Sequence, residues 1–138
     1  MTRRFRWFVG AAALAFFLWP FPDTDRLFRV APTLRDAVWS VKGASFAVFL
    51  DPTHWYRFRA EPATIDALAR DLSLTEPAYP VLSVKALQEN SPPPWNAWWW
   101  QPHVTSGSFV LEGNNSGDQL LLLYDPATHI AYFMVQNT

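Results

Sequence analysis

The chain has no cysteine among its 138 residues. That excludes a disulfide framework, a thiolate metal site and a lipid anchor on cysteine. Charge is also sparse: 17% of residues are Asp, Glu, Lys or Arg, against roughly 25% in a typical soluble domain. No nucleophile elbow, no HExxH and no closely spaced histidine pair occurs. The residues therefore name no reaction, and no catalytic residue, cofactor site or metal site is assigned. The length fits one domain with a short extra segment. What the chain has in excess is tryptophan, and four of its eight fall within Trp95–Trp100.

The N-terminus is the longest stretch without charge. Arg3, Arg4 and Arg6 precede Trp7-Phe8-Val9-Gly10-Ala11-Ala12-Ala13-Leu14-Ala15-Phe16-Phe17-Leu18-Trp19, which no polar side chain interrupts. Basic residues ahead of an apolar run are the mark of an export signal. The run ends in Phe16-Phe17-Leu18-Trp19-Pro20, which lacks the small residues a signal peptidase needs. The expectation is an uncleaved signal anchor over residues 1–22, in contact with the lipid bilayer through residues 5–21, at the short end of what a spanning helix requires. Positive charge before the run and Asp23 and Asp25 after it put the N-terminus in the cytoplasm and the remainder outside. The expected location is the bacterial inner membrane, with a periplasmic or otherwise extracytoplasmic domain.

Three of the eleven basic residues precede the run and no acidic residue does, so the remainder carries eight basic and twelve acidic residues, a net charge of −4. No basic face suits a nucleic-acid partner.

Residues 23–31 read as a linker and 32–138 as the exported domain. Pro32 can open a helix over Pro32–Val41, with Leu34, Ala37, Val38 and Val41 on one stripe and Gly43 as a stop. Ser45–Leu50 is rich in strand formers. Asp51-Pro52-Thr53-His54 reads as a turn, and Trp55–Ala60 alternates like a half-buried strand. Pro62 opens a second helix, with Ile65, Leu68, Ala69 and Leu72 on one face. Ser73–Ser106 is long and irregular, containing a short helical turn between Val81 and Leu87. The C-terminal part returns to strands: Gly107–Glu112, a turn at Gly113–Gly117, a continuous apolar strand over Gln119–Tyr124, a turn at Asp125–His129, and Ile130–Val135. The fold class is α+β: an antiparallel sheet of about five strands, made of a hairpin and a three-stranded meander, with one or two helices packed on it.

Two turns look alike, Leu50-Asp51-Pro52-Thr53-His54 and Tyr124-Asp125-Pro126-Ala127-Thr128-His129. Asp-Pro is what a tight turn asks for in any protein, and this accounts for the likeness. His129 falls where a left-handed residue is expected, a position easier for glycine.

On these residues the chain resembles a broad set of small uncharacterised bacterial proteins, exported or membrane-anchored. The shared parts are Tyr56-Arg57-Phe58, the helix from Pro62, the Pro94-Trp95 to Trp100-Gln101-Pro102 motif and the Tyr124–His129 hairpin turn. His129 stands where those hairpins carry glycine, and the lipobox cysteine of the lipoprotein members is absent. The resemblance implies a fold and a location and no activity.

Proline on both sides keeps the tryptophan stretch out of helix interiors and central strands. Its main expected role is to fold back and cap the sheet. Trp95, Trp98, Trp99 and Trp100, with Pro93 and Pro94, form the candidate interaction surface, one or two of the indoles being left facing outward. The expected function is that of a non-enzymatic, membrane-anchored envelope protein that binds or stabilises an envelope partner. Two alternatives stay open. One is a small hydrolase or metal-dependent enzyme using His54, His103, His129, Asp51 and Asp125. The other is an inhibitor or immunity-type protein.

Overall fold

The computed structural model describes residues 24–48, 51–93 and 98–137. Their elements run α1 (Asp25–Val30), a 3-10 turn (Pro32–Leu34), β1 (Val38–Val48), β2 (Asp51–Ala60), α2 (Pro62–Asp71), α3 (Pro80–Glu89), β3 (Phe109–Asn115), β4 (Asp118–Asp125) and β5 (Ile130–Asn137). The protein is α+β. Its strands make one antiparallel sheet in the order β1-β2-β5-β4-β3.

The sheet is covered on both faces, which is why β4 and β5 are apolar without a break. Alternate residues supply two cores. Tyr56, Phe58, Leu122, Tyr124 and Phe133 face α1, the 3-10 turn and α2, where Leu27, Leu34, Ile65 and Leu68 meet them. Trp55, Leu121, Leu123, Tyr132 and Met134 face the other way, against Leu87 of α3 and Trp99 and Trp100. Between the two helices the chain passes from the first layer to the second along the edge of the sheet. There Thr75 pairs with Glu112, each amide donating to the other's carbonyl at 2.8 Å. A Cβ at Gly113 would stand 2.8 Å from Leu74 Cδ2, so glycine lets the crossing strand lie close against β3.

α2 and the meander match the sequence pattern. Pro62 takes the first helical position, and Ile65 and Leu68 are buried while Leu72 closes the stripe. β3 and β4 are joined through Ser116 and Gly117, whose φ values are +55° and +91°. Two left-handed residues in a two-residue loop are the type I′ geometry that suits the sheet's twist. Gly113 and Asn114, read as part of that turn, belong to β3. His129 has φ +61°, the left-handed conformation its place in the hairpin called for.

Three expectations are corrected. The helix over Pro32–Val41 does not form: after the 3-10 turn the chain enters β1, and Gly43 pairs with Tyr56 inside it. Val38, Trp39 and Val41 are β-branched or aromatic, and pairing with β2 outweighs the helical spacing. Asp51-Pro52-Thr53-His54 is not a turn. These residues start β2, with Thr53 opposite Phe46 and His54 opposite Ser45. The Val48–Asp51 pairing leaves only residues 49 and 50 for the connection. Pro52 sits near the strand's start, before the β2–β5 ladder begins at Thr53, where a missing N–H is tolerated. Finally, the short turn expected between Val81 and Leu87 is the ten-residue helix α3. The stretch read as a linker contains α1, whose Leu27 is fully buried. No helix among the described residues is long and apolar enough to cross a membrane, and the expected anchor over 1–22 lies outside those residues.

Candidate interaction surface

α3 begins at Pro80, which needs no amide partner there, and its far end is held by the tryptophans. The last carbonyls of a helix have no acceptor role within it. Here the Trp100 indole N–H donates to the Leu87 carbonyl at 3.1 Å, and that of Trp55 to the Asn90 carbonyl at 2.6 Å. Asn90 closes the end with its amide and side chain, both donating to the Ala86 carbonyl, at 3.0 and 2.9 Å. Gln88 Nε2 donates to the Pro102 carbonyl at 3.2 Å and ties the loop to the helix.

The Pro/Trp segment therefore caps the second face of the sheet. Trp99 and Trp100 are buried and meet edge to face, 6.1 Å apart, and Trp100 stands at right angles to Tyr132 at 5.4 Å. Trp98 is the outward one, 73% exposed. Pro93 is half-buried, while Pro94 and Trp95 lie outside the described residues.

The other end of α3 is arranged against ordinary amphipathicity. Ser83 is buried, its hydroxyl donating to Glu112 Oε2 of β3 at 3.2 Å. Val81 and Leu82 point outward at 79% and 61% exposure, beside Tyr79 at 71%. A helix normally turns its apolar side to the core. This one buries a serine and presents its aliphatic side chains to solvent.

A hollow lies on each flank of this half of the helix. The larger, about 550 Å³, runs between α3 and the start of β3, with Val81, Val84, Val104, Phe109 and Val110 in its walls and Glu76 and Lys85 at its lips. The smaller, about 250 Å³, lies beside Tyr79, Leu82 and Ala86. Val104 and Phe109 are themselves exposed, so the apolar patch continues across the larger hollow. Contiguous apolar surface of this kind marks a contact site. Composition pointed to the tryptophans, and it missed Tyr79, Val81, Leu82 and Val104. The available signal was the Val81-Leu82-Ser83 order, which places apolar residues on the wrong side of any helix that buries Leu87.

The five residues of the enzymatic alternative do not converge. His54 shares a hydrogen bond of 2.6 Å with Ser45 within the β1–β2 hairpin. His129 sits at the opposite end of the β2–β5 ladder, 3.4 Å from Glu61 and edge-on to Trp39. Asp51 starts β2. Only His103 and Asp125 are neighbours, beside a recess of about 30 Å³. Burial pushes the Asp125 carboxyl up, but hydrogen bonds from the Thr128 hydroxyl, the Ala127 amide and Thr105, with nearby His103, outweigh it and hold it below its usual value. It is a turn anchor kept ionised. Among the described residues no group of three or more His, Asp or Glu is placed to hold a metal ion. No protein-family model, no curated protein and no solved structure matches this chain.

Proposed function

We propose that the chain is a single-pass, membrane-anchored envelope protein whose extracytoplasmic α+β domain binds a protein partner through the outer side of α3, without chemistry of its own. The observation that carries this reading is the reversed first turn of α3, with Ser83 inward and Val81 and Leu82 outward. Exposed aliphatic and aromatic side chains with few charges are what the centre of a protein interface is made of. The anchor follows from the uninterrupted apolar run and the arginines before it. Only residues 20–23 separate that run from Thr24, so the domain is held beside the bilayer. α1 joins the face of the sheet opposite α3, which favours an α3 surface turned away from the anchor's point of entry.

The test is photo-crosslinking in intact membranes. A photoreactive residue at Val81 or Val104 is expected to give discrete adducts, while one at Arg35, exposed on the other layer, gives none. Equal labelling from all three positions would remove α3 as the contact surface.

A further inference from the structure

We infer that the partner covering α3 is a second copy of this chain, paired about a two-fold axis close to Val81. The inference rests on the reading of α3 as the contact surface and names what fills it. Three features of that surface point to its own copy.

The first is shape. α3 stands as a ridge between two hollows of about 550 and 250 Å³, and its exposed side chains Tyr79, Val81 and Leu82 crown the ridge. A surface that carries both a ridge and a hollow can dock on a copy of itself, ridge into groove. The second is charge. Lys85 lies about 6 Å along the helix from Val81, four residues at 1.5 Å each. Glu76 lies beyond the helix's other end, and both line the same hollow. A two-fold axis at Val81 reverses the helix, so each Lys85 faces the partner's Glu76. The Tyr79–Leu82 stretches then meet at the centre, with the opposite charges outside them. The third is the chain's own reach. Residues 1–23 join the domain at α1, on the far layer. The four residues between the apolar run and Thr24 extend about 13 Å. Each packed layer adds roughly 10 Å, so the chain's own N-terminal run does not reach round the sheet to fill the hollow. Anchoring in one bilayer also raises the effective concentration of copies and orients them alike.

The absence of cysteine makes the test direct. Val81→Cys in the full-length chain, in membranes under mild oxidation, should give a disulfide-linked homodimer, because a residue near a two-fold axis lies near its own copy. Arg35→Cys should stay monomeric. Full-length protein in detergent should sediment as a dimer. Lys85→Glu and Glu76→Lys should each weaken association several-fold by setting like charges together, and the double variant should restore it. Both side chains are exposed, so neither change threatens folding. A chain monomeric throughout, or a double variant as weak as the single ones, overturns the dimer. If such a monomer still crosslinks from Val81 to a different protein, the contact surface stands and the self-pairing falls. If it crosslinks to nothing, both fall.

Discussion

The Trp100 indole N–H donates to the Leu87 carbonyl at 3.1 Å, and one side chain thereby closes a helix and fills a core. Trp100 is 5% exposed and Trp98 is 73% exposed, though both lie in one run of three tryptophans. Their substitution should therefore differ sharply. Trp100→Ala removes a buried aromatic and is expected to cost about 3–5 kcal/mol. Trp100→Phe keeps much of the packing but leaves the Leu87 carbonyl without its donor, costing about 1–3 kcal/mol. Trp98→Ala should change stability by no more than about 0.5 kcal/mol. Urea unfolding of the three variants checks the order, and equal losses at Trp98 and Trp100 would contradict the packing described.

The sequence announced this core only in part, and the reasons are local. α2 was legible because Ile65, Leu68 and Leu72 keep the helical period after a proline start. β4 was legible because four consecutive leucines are buried on both faces. β1 was hidden by its own irregularity. The pairing slips between Trp39 and Lys42, with Ser40 at φ +54°, and that bulge disturbs the period-two alternation. What remains, Leu34, Ala37, Val38 and Val41, imitates a helix. α3 was hidden for the opposite reason: its apolar residues face solvent at one end, so periodicity misreads it. Composition located the tryptophan stretch, yet three identical neighbours carry no pattern to say which one turns outward. That is decided by the helix end that Trp100 caps.

Asp125 should make the β4–β5 turn acid-sensitive. The Ala127 amide donates to Oδ1 at 3.0 Å and the Thr128 hydroxyl to Oδ2 at 2.9 Å. The folded-state pKa lies below the ordinary value. A carboxyl with a depressed folded pKa contributes stability above its unfolded pKa of about 3.9. That contribution is lost as pH falls through the lower, folded value. Asp125→Asn keeps an acceptor but no charge, so it should cost about 1 kcal/mol at neutral pH. It should also flatten the stability profile below about pH 4. Thermal unfolding between neutral and acid pH measures this, and parallel profiles for the two proteins would show that Asp125 does not govern the effect.

His129 occupies the left-handed region at φ +61°, at a cost of about 1 kcal/mol or more for a side chain with a Cβ. Its compensations are modest: Glu61 at 3.4 Å, which is 63% exposed, and an edge contact to Trp39 at 6.2 Å. His129→Gly should therefore raise stability by up to about 1 kcal/mol. His129→Val, which is β-branched, should lower it by about 1–3 kcal/mol. The Ala60 amide donates to the His129 carbonyl at 3.0 Å, so hydrogen exchange at Ala60 reports the same turn locally. Faster exchange in the glycine variant would mean that the ring contacts outweigh the backbone strain.

The proposed anchoring makes a prediction of location separate from any partner. With Arg3, Arg4 and Arg6 ahead of the apolar run and Asp23 and Asp25 behind it, the run should hold the chain in the membrane through an alkaline carbonate wash. Protease added to spheroplasts should digest the C-terminal domain, while the same protease should leave it untouched in cells with an intact outer membrane. Replacing the three arginines by asparagine weakens the charge bias that fixes orientation, so a fraction of the chains should become protected in spheroplasts. Full protection of the original chain, or its release by carbonate, would remove the anchor. The α3 contact would then have to be explained for a domain free of the bilayer.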